Sequence, residues 1–151
     1  MLVQLVYSSL ATEPMPKSKL YKILVQARGN NKRADVTGLL VFVDGKFLQV
    51  LEGEADLVSQ VLKKIAADTR HKDMKVISEK SIQQRTFASW QMAYASPSAR
   101  ELAAWAGLRD TTTIDGTLAS LEQDPNRVSD ILTKLLGAIS DDALGAETQS
   151  S

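Results

Sequence analysis

Val36-Thr37-Gly38-Leu39-Leu40-Val41-Phe42-Val43-Asp44-Gly45-Lys46-Phe47-Leu48-Gln49-Val50-Leu51-Glu52-Gly53 sets two apolar runs on either side of Asp44-Gly45. Asp-Gly accepts the positive φ angles of a tight I′ turn, so the two runs are expected to pair as an antiparallel hairpin. Side chains alternate faces along a strand, which puts Phe47, Gln49 and Leu51 on one side and Leu48 with Val50 on the other. A glutamine therefore lies on an apolar face. Burying its amide without partners costs roughly 1–3 kcal/mol, so Gln49 needs a polar group to hold, either another side chain or a ligand.

Working outward, residues 2–8 predict a strand with Val3, Leu5 and Tyr7 on one face, broken by Ser8-Ser9. Pro14 and Pro16 suit the start of a helix over residues 17–28, where Leu20, Ile23, Leu24 and Ala27 recur at helical spacing. The lysines Lys17, Lys19 and Lys22 form its solvated side, and Gly29 is expected to stop it. Residues 30–35 then form a polar connection in which Asn30 and Asn31 serve as turn formers. Beyond the hairpin, Leu57, Val58, Val61, Leu62 and Ile65 mark a second amphipathic helix over residues 54–67. Residues 74–82 predict a strand, and residues 89–94 a short one with Trp90, Met92 and Tyr94 sharing a face. Strand, helix, hairpin, helix, strand, strand is an α+β, ferredoxin-like βαββαββ sheet with both helices on one face. In that topology the first and third strands are neighbours.

Pro97 marks the end of this unit, giving a first domain over residues 1–96 and a helical extension over residues 97–140. Ser98-Ala99-Arg100-Glu101 has the form of a capping box opening a short helix through Trp105. Residues 107–123, rich in Thr and Gly, give no clear period. Asp124-Pro125 starts a helix with Val128, Ile131, Leu132, Leu135, Leu136 and Ile139 on one side. Residues 141–151 are expected to be a disordered tail.

Composition narrows the function. At 151 residues a single core domain is expected, and 18 basic residues balance 18 acidic ones, giving no pull toward nucleic acid or an anionic membrane. The absence of cysteine excludes disulfides, thiolate metal sites, cysteine nucleophiles and covalent cysteinyl adducts, and it fits a cytoplasmic protein. The longest apolar run is Leu39 to Val43, so neither a signal peptide nor a transmembrane helix is expected. With a sole histidine, no nucleophile elbow and no phosphate-cradling glycine loop, no catalytic constellation is seen, and the expectation is that the chain is not an enzyme.

The out-of-place polar residues converge. Tyr7 and Gln49 lie on apolar faces of neighbouring strands, and Asn30-Asn31 close the first helix. The residues alone leave two readings open: a self-satisfied polar pair within the core, or a polar-edged ligand site between the helices.

Tyr7-Ser8-Ser9, Asn30-Asn31 followed by Val36-Thr37-Gly38, Phe47-Leu48-Gln49-Val50-Leu51-Glu52-Gly53, Asp68-Thr69-Arg70-His71 and Trp90-Gln91-Met92 together resemble the motif set of the BLUF family, sensors of blue light using FAD. The likeness covers residues 1–95, and the remainder resembles the helical extension of short members without an enzymatic output domain. It implies noncovalent FAD whose ring lies between the helices, flanked by Ile23 and Ile65 and edged by Asn31, Gln49 and Tyr7. Asn30 supports the same region, and Lys64, Arg70 and His71 lie near the phosphates. By the same resemblance Tyr7 is the electron and proton donor to the excited flavin. Gln49 rearranges, by rotation or tautomerisation, to give the flavin C4 carbonyl a new hydrogen bond that red-shifts absorption. Trp90 and Met92 transmit the change to an unidentified downstream protein or a homo-oligomer contact. The alternative is a ferredoxin-like module or small enzyme in which these side chains bind a non-flavin ligand.

Overall fold

A computed structural model describes residues 1–139; the tail expected over residues 141–151 lies outside the described residues. The central hairpin forms as anticipated, from β2 (Thr37–Val43) and β3 (Lys46–Glu54). Asp44 and Gly45 turn the chain at φ of 49° and 81°, the paired positive angles of a I′ turn. At Gly38 a side chain is excluded by proximity, since a Cβ there would sit 2.0 Å from the Val50 carbonyl oxygen of the neighbouring strand.

The sheet adds β1 (Leu2–Ala11), β4 (His71–Ser81) and β5 (Ala93–Ala95) in the order β4-β1-β3-β2-β5. Every pairing is antiparallel except β2 with β5. This is the expected ferredoxin-like α+β sheet with one further strand at its edge. In the β1–β3 ladder Tyr7 lies directly opposite Gln49.

Helices α1 (Lys17–Ala34) and α2 (Ala55–Ala66) cover one face, burying Val3, Leu5, Tyr7, Leu20, Leu24, Phe47, Leu51, Val58 and Val61. The opposite face carries Val6, Leu39, Val41, Leu48 and Val50, covered by α3 (Ala99–Trp105), α4 (Ile114–Gln123) and α5 (Arg127–Leu136). Leu102, Leu121, Ile131 and Leu135 insert here, each worth about 1.5–3 kcal/mol of transfer free energy when fully buried. The extension is thus the second layer of the sheet. The Ser98–Glu101 capping box is present at the start of α3 with both reciprocal bonds.

Several expectations are corrected. β1 does not break at Ser8-Ser9 but continues to Ala11, because β4 pairs alongside as far as His71 and supplies a ladder that two serines alone would not hold. α1 passes through Gly29 and ends only at Asp35, whose left-handed backbone (φ 53°) turns its N–H back to the Asn31 and Lys32 carbonyls. Asn30 and Asn31 are therefore helical and not in a turn. The strand over residues 89–94 shrinks to Ala93–Ala95, so alternation does not apply before it: Met92 joins the α1/α2 layer while Trp90 packs on the opposite side. The unread stretch holds α4, capped by the Thr113 hydroxyl accepting the Gly116 N–H. In α5 the stripe buries Val128, Ile131, Leu132 and Leu135, but Leu136 turns outward.

Candidate functional site

Between α1 and α2 the front layer opens into a cleft. Ile23 and Ala27 of α1 line one wall and Ile65 of α2 the other, with Leu40, Phe47 and Gln49 beneath them. Ser9, Asp68, Arg70 and His71 also line it, beside Gln26. Two β-branched aliphatic walls over a partly polar floor make a slot suited to a flat, polar-edged ring.

The floor is a connected set. Tyr7 is fully buried, and its hydroxyl donates to Gln49 Oε1. With the phenol as donor, the amide stands with its oxygen toward Tyr7 and its nitrogen away. Gln49 Nε2 lies 3.8 Å from Met92 Sδ, and a thioether accepts weakly. The amide thus keeps donor capacity at the cleft. Burial, followed by the negative charge of Asp68, pushes the Tyr7 hydroxyl well above its ordinary pKa of 10.0, so the phenol holds its proton.

Asn31 follows Ile23 and Ala27 at i+8 and i+4 on α1 and is buried. Its Nδ2 donates to the Gln91 carbonyl at 2.6 Å, while its Oδ1 is buried without a partner among the described residues. An orphaned buried acceptor costs about 1–3 kcal/mol, a deficit that a ring N–H would remove. Asn30 instead faces Arg33, whose guanidinium donates to its Oδ1 at 2.6 Å.

Around Asp68 the polar groups are already engaged with one another. Arg70 donates through its backbone N–H and guanidinium to Asp68, and through Nη2 to Gln26 Oε1 at 2.6 Å. The arginine's hydrogen bonds hold the Asp68 carboxyl below its usual range. His71 lies between the Ile65 carbonyl and the Ser9 hydroxyl, its Nδ1 2.8 Å from Ser9 Oγ. A carbonyl can only accept, so Nε2 donates to Ile65, while Nδ1 and the Ser9 hydroxyl share the second bond.

The structure brings together Tyr7, Ile23, Gln49, Ile65, Arg70, His71 and Met92 in or beneath the cleft, while Asn31, one turn beyond Ala27 on α1, does not line it. It does not bring in Lys64, which is exposed on α2, nor Trp90, which packs on the other side of the sheet. Ser9, Gln26 and Asp68 were missed as lining residues. Ser9 lies two residues beyond Tyr7 on the same strand, a signal hidden by taking the serines as a break.

Residues 2–93 match the family model for BLUF, described as sensors of blue-light using FAD. The chain is 36% identical over 96 residues to photoactivated adenylate cyclase subunit beta of Euglena longa, which covers 63% of this chain and 11% of that protein. It is 35% identical over 71 residues to the blue light- and temperature-regulated antirepressor BluF of Escherichia coli K12, 47% of this chain and 18% of that protein. The chain thus spans about a tenth of the cyclase's length and under a fifth of the antirepressor's. Among solved structures, the photo-activated state of BlsA superposes with a TM-score of 0.74 at 26% identity, covering 90% of this chain and 95% of that one. The dark state of BlrB, a BLUF protein, gives 0.71 at 26% identity, covering 90% and 96%.

Proposed function

The chain belongs to the BLUF family of blue-light sensors using FAD, and on that premise we propose that Tyr7 and Gln49 form its photochemical switch. The observation that carries this reading is the buried bond from the Tyr7 hydroxyl to Gln49 Oε1 at the floor of the cleft. The cleft fits the group: aliphatic walls at Ile23 and Ile65 and an amide donor at Gln49 engaged only weakly, by a thioether, with the unpartnered Asn31 Oδ1 one helical turn beyond Ala27 on α1.

FAD, when bound, would supply blue absorption and an excited state able to take an electron. Tyr7 would be the electron donor, its phenolic proton moving along the hydrogen bond it already makes to Gln49 Oε1. Return of the electron and the proton to Tyr7 would leave Gln49 with its amide turned over or tautomerised, its donor end moved from Met92 Sδ to the ring edge. Ile23 and Ile65 hold the ring and exclude water, and Asn31 orients its polar edge while gripping the Gln91 carbonyl. Arg70 and His71, which line the cleft, would hold the flavin's side chain. No cysteinyl tether can form, since the chain has no cysteine.

The output follows from the same contacts. The rearranged Gln49 releases Met92 and shifts β5, whose Ala95 bridges to Ile139 just beyond α5. Residues 1–96 act as the sensor and residues 97–140 as the relay to a downstream protein or a second copy of the chain. The chain works in the cytoplasm without catalysing a reaction of its own; among the described residues no helix is long and apolar enough to cross a membrane.

Substitution separates the roles. Tyr7→Phe removes the phenolic proton and Gln49→Leu removes the amide, so each variant should retain flavin yet form no red-shifted state on illumination. A normal photocycle in either variant overturns this mechanism.

A further inference from the structure

Glu52 takes no part in the chemistry above, yet it is completely buried. It lies three residues beyond Gln49 on β3, so alternation places it on the back of the sheet, away from the cleft. Its Oε1 accepts the Phe87 N–H at 2.7 Å, and its Oε2 accepts the Thr86 N–H at 3.0 Å and Gln4 Nε2 at 2.9 Å. All three partners are donors, and two of them are consecutive backbone amides.

Those amides belong to residues 82–92, which lead from β4 at one edge of the sheet to β5 at the other without regular structure. With no ladder of its own, this segment satisfies its backbone through groups on other elements. On the cleft side, Asn31 Nδ2 reaches the Gln91 carbonyl at 2.6 Å and Arg28 Nε the Met92 carbonyl at 3.0 Å. From β2, the Gly38 N–H reaches the Trp90 carbonyl at 3.1 Å. Glu52 is the anchor at the other end. Between these grips Trp90 packs behind the sheet and Met92 Sδ faces Gln49. A shift of this run along the sheet would carry Trp90 and Met92 off the places they fill on its two sides.

We propose that Glu52 is a positioning residue of the switch: by holding the Thr86 and Phe87 amides it sets the register that places Met92, and not a neighbour, against the Gln49 amide. A carboxyl suits this task because it offers an oxygen to each amide and one lone pair more to Gln4. A glutamine in its place offers one oxygen and an NH₂ group that meets a donor. The inference deepens the reading of the Gln49–Met92 contact, but it rests on protein geometry alone.

The test uses the full chain labelled with ¹³C in its methionine methyl groups. Four methionines give four signals, and Met92 is assigned by its loss in Met92→Leu. Glu52→Gln is expected to move the Met92 signal toward that of an exposed methionine while those of Met1, Met15 and Met74 stay in place. An unmoved Met92 signal in the folded variant overturns the proposal, and so does an equal shift of the Met92 signal and those of the half-buried Met15 and Met74, which marks a general brace. Should Glu52→Gln fail to fold, Glu52→Asp, which keeps both oxygens but withdraws them by one methylene, is judged by the same two outcomes. The signal is recorded in the dark, so a protein without a photocycle leaves this result standing. A normal photocycle with an unmoved Met92 removes the role of Glu52 alone.

Discussion

Tyr7 shows how burial prepares a side chain for its chemistry. The same loss of solvent that makes a phenolate unfavourable keeps the proton on the hydroxyl and directs it at Gln49. Because the folded-state pKa lies above the unfolded value near 10.0, stability from this group is complete below that value and declines as pH rises through and beyond it. The red-shift amplitude should accordingly be flat up to about pH 9. The tyrosinate absorbance of Tyr7, taken as the difference between the wild type and Tyr7→Phe, should emerge only with alkaline unfolding; ionisation of Tyr7 in the folded protein near its ordinary value would contradict this. Gln49 was legible in the sequence because an amide on an apolar face violates the pattern around it. Glu52 was not, since a glutamate before a glycine at a strand's end looks like any solvated terminus; its partners lie 34, 35 and 48 residues away. Trp90 and Met92 were placed on one face by extending a period of two into a segment that is not a strand.

Among the elements, the hairpin was readable in full. Asp44-Gly45 set the turn, the two runs set the faces, and both matched. Gly38 adds a constraint that only packing reveals, because the Val50 carbonyl occupies the place of its Cβ. Gly38→Ala should therefore force β2 from β3 and cost about 3 kcal/mol, toward the upper end of overpacking penalties, measured as a lower denaturation midpoint; an unchanged midpoint would mean that the strands are not so closely set. The ends of α1 and β1 were misjudged for one reason. Gly29 and Ser8-Ser9 are local stop signals that tertiary partners override: the Val36 N–H returns to the Asn31 carbonyl at 2.8 Å, and β4 runs beside the serines. In α4 the buried residues Ile114, Thr117, Leu118 and Leu121 do keep helical spacing, but Gly116 and the threonines around it mask the period.

For the whole molecule, the decisive feature is that the sheet is covered on both sides by the chain itself. α1 and α2 enclose the cleft, while α3, α4 and α5 lie against the back. Light should reach the back layer through Met92, β5 and the Ala95–Ile139 bridge. Hydrogen exchange compared in darkness and under blue light should thus change at β5 and the end of α5 while the β1–β3 ladder stays protected; change confined to the cleft would place the output elsewhere. Beneath all of this lies the claim that the chain is a flavin photosensor working through Tyr7 and Gln49. It is tested most directly by the absorption spectrum of the purified full chain before, during and after blue light. The expected result is a yellow protein whose flavin is released by denaturation, with a small red shift that forms without bleaching and reverses in darkness. A colourless protein that cannot be reconstituted with FAD, or bound flavin that bleaches or stays unchanged under blue light, would contradict the account.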